Sequence, residues 1–230
     1  MLSLHHRTSV AEMETNMRRR LLSHRGCWKQ GYRKNSIEAI ERSFRHGYGI
    51  ETDIRDSNGE LVVSHDIPVG TCTKLREVIK AATLAIQDQP VTLALNIKSD
   101  GLLDLLQLEF ASNPDVDYFV FDMAIPDMRS YLKANIQTFT RLSDAEPQPS
   151  WLDQSQGVWL DAFETDWYSA ETILNLLARG KRVCVVSPEL HGRAHENLWN
   201  HLAKIWHNPQ LLLCTDFPDE AMRFFSSNLD

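Results

Sequence analysis

Paired cysteines, long apolar runs, a basic excess and glycine-rich nucleotide motifs are all missing from this 230-residue chain. No stretch approaches the roughly 20 apolar residues of a membrane span, so no integral membrane segment is expected. The first 22 residues also lack the continuous apolar core of a signal peptide. The net charge of −7 argues against nucleic acid and anionic membranes as general partners, because polyanions are drawn to basic surfaces. Four cysteines occur without a CxxC pair. Cys184 in "RVCVVS" and Cys214 in "LLLCTD" lie inside apolar runs and read as small core residues. A reducing, cytoplasmic setting is the default. Neither GxGxxG nor a P-loop is present, which removes the usual phosphate signature of an open doubly wound sheet.

What is there is a repeated kind of segment. Short apolar runs end in polar residues and are followed by helical stretches. The runs are "RLLSHRG", "GIETDIR", "VTLALNIK", "DYFVFDM", "QTFTRLS", "GVWLDAFE", "KRVCVVSPE" and "QLLLCTDFP". Eight such runs alternating with helices predict a parallel sheet closed into a TIM (β/α)8 barrel. Residues 20–230 form that barrel, and residues 1–19 form an N-terminal extension that is mobile or packed on the surface. "ELVVSHD" follows the second run with no helix between, so it is expected as a β-hairpin arm outside the barrel. The linking "DSNG" suits a type I turn with a bulge at Gly59, which would pair Asp56 with Glu60 and set His65 opposite Glu51. A strict two-residue Asn-Gly loop would set His65 opposite Thr52, on the other face.

In such barrels the chemistry sits at the C-terminal ends of the strands. Here those ends carry His24 and Arg25, Glu51 and Asp53, Asn96 and Lys98, Asp122, Arg141, Asp161 and Glu164, Glu189 and His191, and Asp216. Residues two apart on a strand share a face, so Glu51 and Asp53 both point into the mouth. Two unpaired carboxylates that close repel unless a cation lies between them. Hard oxygen donors of this kind suit Mg2+ or Ca2+ rather than zinc. An isolated ExD is more often a solvated or ion-paired couple, and a lone HRG or HD says little. Their joint placement at the strand ends of one barrel is what carries weight. His191 and His195 lie one helical turn apart but lack HExxH chemistry.

The ordered set "HRG", "KNSIEAIERSFRHGYGIETDIR", "GELVVSHD", "LNIK" and "LLLCTDFPDEAMRFF" resembles the glycerophosphodiester phosphodiesterase family. That family belongs with the wider phosphatidylinositol-phospholipase-C-like barrels, including the spider sphingomyelinases D. The resemblance covers about residues 20 to 229 and implies a TIM barrel, one divalent cation, and two histidines that exchange protons with a phosphodiester. It implies His24 and His65 as the catalytic pair, and Glu51 and Asp53 as metal ligands. It places Arg25, Lys98 and Asn35 at the phosphate, although Lys34 stands where the family has a glutamate before Asn35. Asn96 is the main departure, since the family supplies a carboxylate there. An amide oxygen still coordinates a hard cation but adds no charge, so weaker metal binding is expected unless Asp122 approaches. Between His65 and Asn96 there is room for little more than one helix, so the mouth should be open or closed by the extension.

The implied function is metal-dependent hydrolysis of a glycerophosphodiester or related diester, with a small-molecule phosphodiester as partner. Whether a cyclic phosphate forms first is left open. Two alternatives remain: a barrel that only binds a phosphorylated ligand, for which Asn96 is the support, and an unrelated metal-assisted barrel aldolase or isomerase using Lys98.

Overall fold

A computed structural model describes residues 10–29, 31–85 and 90–228. The first nine residues of the extension and the end of the helical stretch at 86–89 lie outside the described residues. The described chain runs α1 (Val10–Arg20), β1 (Leu21–His24), α2 (Ile37–Arg45), β2 (Gly49–Ser57), β3 (Glu60–Val63), α3 (Leu75–Ala85), β4 (Thr92–Ile97), α4 (Leu103–Ala111) and β5 (Asp117–Phe121). It continues with α5 (Ile125–Lys133), β6 (Phe139–Leu142), β7 (Gly157–Leu160), α6 (Ala170–Ala178), β8 (Arg182–Val186), a 3-10 turn (Pro188–His191), α7 (Glu196–Ala203), β9 (Leu211–Thr215) and α8 (Pro218–Ser226). Eight parallel strands lie in the order β5-β4-β2-β1-β9-β8-β7-β6, with β3 antiparallel on β2. One parallel bridge, Val120 to Thr138, joins β5 to β6 and all but closes the barrel.

The strands read as near-continuous apolar runs because both of their faces are buried. Alternate residues separate into two environments. Ile50, Ile54, Leu93, Leu95 and Val120 face the first helices, and Val158, Leu160, Val183, Val185, Leu211 and Leu213 face the later ones. The opposite set, Leu22, Ala94, Phe119, Phe121, Phe139, Trp159, Cys184, Val186, Leu212 and Cys214, packs together in the barrel interior. Phe119 stacks on Phe139 at 3.7 Å between ring centres and Phe121 on Trp159 at 3.9 Å, so aromatic rings plug the interior beneath the mouth. Stepping two residues on from this plug gives His24, Asn96, Arg141, Asp161 and Asp216, so one pleat period lifts polar side chains into the mouth.

One expectation changes, and one open alternative narrows. The hairpin pairs Ser57 with Glu60 and Asp56 with Leu61, which is the strict two-residue loop, not the bulged one. Asn58 and Gly59 both take left-handed backbone, with φ of 52° and 78°. Asn-Gly accepts that geometry, and its twist matches the strands it joins. The extension is the open alternative. Its described part, α1, packs against α8, β1, β2 and β9, and buries Met17. Arg20 donates to the carbonyls of Trp206 and Asn208 at 2.6 and 2.8 Å. The side chains α1 faces include Thr92, Asp117 and Arg182, at the starts of strands. This described part therefore caps the end of the barrel opposite the mouth.

Gly157 opens β7 where a Cβ would lie 2.7 Å from the Arg182 carbonyl oxygen and would also strike the Phe139 ring. Gly157→Ala should lower unfolding stability by about 1–3 kcal/mol, the usual cost of overpacking, measured by urea denaturation. Unchanged stability would mean that the plug at Phe139 is loose.

Candidate functional site

The turn that leaves β1 sets the geometry of the mouth. Arg25 and Gly26 are both left-handed, with φ of 58° and 86°, which reverses the chain immediately after His24. Glycine is required at 26, because a Cβ there would lie 2.7 Å from the backbone carbon of Ala39 in α2. The loop then returns over the mouth, and Asn35 N–H donates to the Arg25 carbonyl at 2.9 Å. Asn35 and Asp122 are also left-handed, at 61° and 65°. Strained non-glycine backbone thus gathers around the mouth, as it often does at functional sites.

Asp53 is fully buried in the lumen. Asn35 Nδ2 donates to its Oδ2 at 2.8 Å, and Thr52 Oγ1 donates to Asn35 Oδ1 at 2.8 Å, so the amide is gripped from both ends. Arg25 Nε lies 2.9 Å from Asp53 Oδ2 as an ion pair whose N–H is not aimed along a hydrogen bond. Lys98 Nζ is 3.4 Å from Oδ1. Both cationic side chains remain about one-fifth exposed and so reach the mouth. Glu51, one pleat deeper on β2, is also buried. Burial, and then the charge of Asp53, holds its carboxyl well above the usual carboxylate range, against the opposing pull of Arg25 and Lys98.

Three buried oxygens here accept no hydrogen bond from the protein: Glu51 Oε2, Asp53 Oδ1 and Asn96 Oδ1. Native interiors seldom leave such atoms without a partner. Asn96 sits opposite Asp53 in the β2–β4 register. Its Nδ2 donates to Asp122 Oδ2 at 3.3 Å, leaving its carbonyl oxygen as the orphan. Asp122 Oδ1 accepts from Arg141 at 3.0 Å. Asp122 therefore stands behind Asn96 as the group that orients its amide, with both oxygens already engaged. Among the described residues no group of three or more His, Cys, Asp or Glu side chains forms a metal site. Two carboxylates and an amide oxygen are donors of the kind a hard cation takes, with Lys98 Nζ already 3.4 Å from Asp53 Oδ1.

His24 lies at the mouth with its Nδ1 2.8 Å from Asp216 Oδ1 and its Nε2 3.9 Å from Glu51 Oε2. Burial lowers its pKa below the ordinary value, more than the Asp216 hydrogen bond and charge raise it, and Arg25 and Lys34 add to the fall. Glu189 holds Asp216 in turn, since its Oε1 accepts from Thr215 Oγ1 and from the Asp216 N–H at 3.1 Å. Lys34 Nζ lies 3.8 Å from Asp216 Oδ2, so the residue that departs from the family pattern is drawn into this network.

His65 is not placed as the bulged hairpin required. Ser64 N–H still donates to the Asp53 carbonyl at 3.0 Å, so continuing the ladder would set His65 opposite Thr52. The chain bends away at that point. His65 stands about half exposed, with Nδ1 2.9 Å from Asp66 Oδ1 and no direct tie to Glu51 or Asp53 among the described residues. Both imidazoles are thus held at Nδ1 by a carboxylate, which leaves Nε2 as the nitrogen without a hydrogen bond. The sequence reading gave no role to a third imidazole. His191 Nε2 lies 2.7 Å from Asp161 Oδ1 on the β7–β8 side of the mouth. The Asp161 hydrogen bond raises its pKa, against partial burial. His195 instead lies against Trp199, with ring centres 3.9 Å apart and planes tilted by 39°, so the two histidines do not form a pair. The lumen-facing position of Asp161, two residues after Trp159, was the signal available for this couple.

No family model matches this chain, and no curated protein matches it in sequence. Its fold is that of solved glycerophosphodiester phosphodiesterases. A phosphodiesterase from Oleispira antarctica, solved with its product sn-glycerol-3-phosphate, matches with a TM-score of 0.67 at 14% identity, over 89% of this chain and 95% of that one. A glycerophosphodiester phosphodiesterase from Agrobacterium tumefaciens matches at 0.63 and 14%, over 90% and 98%. A glycerophosphoryl diester phosphodiesterase from Parabacteroides distasonis matches at 0.51 and 15%, over 90% and 86%.

Proton NMR titration should separate the imidazoles, with His24 below the ordinary pKa of 6.5 and His191 above it. Asp161→Asn should bring His191 down, and Asp216→Asn should carry His24 lower still. The His191–Asp161 couple should add stability that is fully present below pH 6.5 and lost as pH rises through the folded-state pKa. A His191 that titrates below 6.5 would refute the couple.

Proposed function

We propose that the protein is a metal-dependent phosphodiesterase that hydrolyses a glycerophosphodiester or a related small phosphodiester. The observation that carries this reading is that buried oxygens of Glu51, Asp53 and Asn96 accept no hydrogen bond from the protein, with Glu51 Oε2 3.9 Å from His24 Nε2. The shared fold supports it.

A phosphodiester resists attack because its own negative charge repels a nucleophile. Glu51, Asp53 and Asn96 would hold one Mg2+ or Ca2+, which supplies positive charge beside the non-bridging oxygens. Arg25 and Lys98 add positive charge and N–H donors on the same side, where they stabilise charge that grows in the transition state. His24 is predominantly neutral near pH 7, since burial lowers its pKa, and it can take a proton through Nε2. Asp216 keeps the Nδ1 proton in place and steadies the imidazolium that results. The resemblance gives His65, beside Asp66 on the hairpin bend, the part of the second imidazole, which would return a proton to the leaving alkoxide. Attack by water gives hydrolysis directly, whereas attack by a neighbouring substrate hydroxyl gives a cyclic phosphate first. Asn35 acts by keeping Asp53 in register.

A phosphate-binding barrel without catalysis is favoured by one observation. Asp53 already pairs with Arg25 and Lys98, so less negative charge is left to attract a metal.

Hydrolysis of bis-p-nitrophenyl phosphate should require Mg2+, Ca2+ or Mn2+ and disappear in excess EDTA. His24→Ala and His65→Ala should each lower kcat/KM by about 10²–10⁴-fold. Calorimetry should show metal affinity rising with pH and a proton released on binding, because Glu51 otherwise retains one. Asn96→Asp should tighten that binding. Full activity in EDTA would overturn the metal reading, and ligand binding without turnover at any metal concentration would favour the binding barrel.

A further inference from the structure

The His191–Asp161 couple has no part in the hydrolysis described so far, yet it stands inside the mouth. In the strand order β7 lies four places from β2, halfway round an eight-stranded barrel, so Asp161 just after β7 faces the side that carries Glu51 and Asp53. Asp161 follows Trp159 by one pleat period and is buried just above the aromatic plug. Its charge raises the Asp122 carboxyl and, together with that of Glu51, the buried Cys184 thiol, so it shares the lumen with the cation side. Leu190, the residue before His191, packs against the interior cluster itself. Glu189, in the same 3-10 turn, accepts from the Asp216 N–H at 3.1 Å. One short turn thus carries His191 and also braces the carboxylate that holds His24.

The couple is arranged to hold a proton at one atom. Asp161 Oδ1 accepts from the Ala162 N–H and pairs with His191 Nε2, both at 2.7 Å. His191 Nδ1 is left without a hydrogen bond among the described residues, on a side chain 23% exposed. Around the ring stand Asp161 from the end of β7, Asp144 from the loop after β6, Arg193 just beyond the turn and Glu189 within it. The Asp161 hydrogen bond, with the charges of Asp161 and Asp144, outweighs burial and Arg193, so the imidazolium is favoured. Phe163 meets the imidazole edge-on at 5.1 Å. With Asp122 and Arg141, Phe163 also lines a cleft of about 570 Å³ that opens over the β5–β6 join. His191 therefore borders open volume and not packed core.

We propose that His191 is a catalytic acid of the reaction and gives its Nδ1 proton to the alkoxide that leaves phosphorus. The inference rests on the hydrolase reading. It moves to His191 a step that the resemblance would give to His65, which stands about half exposed on the hairpin bend. As the P–O bond to the departing alcohol breaks, its electron pair stays on oxygen and takes the Nδ1 proton. His191 is left neutral, with Nε2–H still donated to Asp161, and regains its proton from solvent. The proton lost by the attacking water goes to His24, which passes it to solvent in turn.

The test turns on leaving-group strength, because nitrophenolate departs with little need of a proton whereas an alkoxide requires one. With metal present, kcat/KM is measured for 4-nitrophenyl methyl phosphate and for sn-glycero-3-phosphoethanolamine, in the wild type, His191→Ala, His191→Gln, Asp161→Asn and His65→Ala. Both His191 variants should lose about 10²–10⁴-fold on the alkyl diester and less than about tenfold on the nitrophenyl ester. His191→Gln keeps a donor to Asp161, so the test stands if alanine disturbs folding. His65→Ala should lower both substrates alike. For the alkyl diester, wild-type kcat/KM should fall as pH rises through the His191 pKa measured by NMR. Asp161→Asn should move that limb and that pKa down together. Equal losses on both substrates in the His191 variants, or a loss graded by leaving group in His65→Ala alone, would overturn the acid while wild-type turnover sustained the hydrolase reading. No turnover of either substrate by the wild type with Mg2+, Ca2+ or Mn2+ would overturn the hydrolase reading, and the acid with it.

Discussion

A carboxylate buried without water must be compensated by charge and hydrogen bonds or give up its ionisation, and Asp53 meets this demand by recruiting three side chains from two separate segments. Asn35 and Arg25 come from the loop after β1, and Lys98 follows β4. The geometry of the mouth depends on this convergence. To bring Arg25 over Asp53, the chain must reverse at Arg25 and Gly26, and the reversal needs the close approach to Ala39 that only glycine permits. To bring Asn35 down, a second left-handed residue is accepted in the same loop. For Glu51, deeper on the strand, burial and then the charge of Asp53 outweigh the pull of Arg25 and Lys98, and it is held toward its neutral form.

The barrel interior makes a site of this kind feasible. Stacked rings of Phe119, Phe139, Phe121 and Trp159 fill the lumen below it and exclude water from that side. The polar groups above are therefore solvated from the mouth alone. Charge interactions at such a position are stronger than at an exposed surface, because the medium on one side is apolar. Orientation then passes outward through paired groups: Glu189 to Asp216 to His24 on one wall, and Arg141 to Asp122 to Asn96 on another. These walls flank β2 through neighbouring strands, so the carboxylates sit between two oriented supports. The Arg141–Asp122 pair also ties β5 to β6, which links closure of the barrel to the setting of the Asn96 amide.

Much of this was legible along the chain, because a strand buried on both faces has a plain signature. The eight apolar runs, their polar ends and the separate status of "ELVVSHD" depend on hydrophobic pattern and pleat period, which are local properties. The same period placed Glu51, Asp53, Asn96 and His24 toward one mouth. The hairpin register was not legible in this way. Asn58 and Gly59 suit more than one turn, and a shift of one residue carries every later side chain to the other face. The position of His65 depended on that shift and then on the bend at Ser64. The extension was open for a similar reason, since α1 could pack at either end of the barrel.

By itself, then, the sequence determined the strand and helix pattern, the face on which each polar strand-end residue lies, and a mouth rich in carboxylates and imidazoles. Only the tertiary structure decided which of these groups meet. It gave Asp53 its cations, joined His24 to Asp216 and His191 to Asp161, engaged Asp122 with Asn96 and Arg141, and opened the cleft over the β5–β6 join. Periodicity follows from backbone geometry repeated residue by residue, whereas partnership between residues as distant as His24 and Asp216 follows from barrel closure and loop path, which no local stretch encodes.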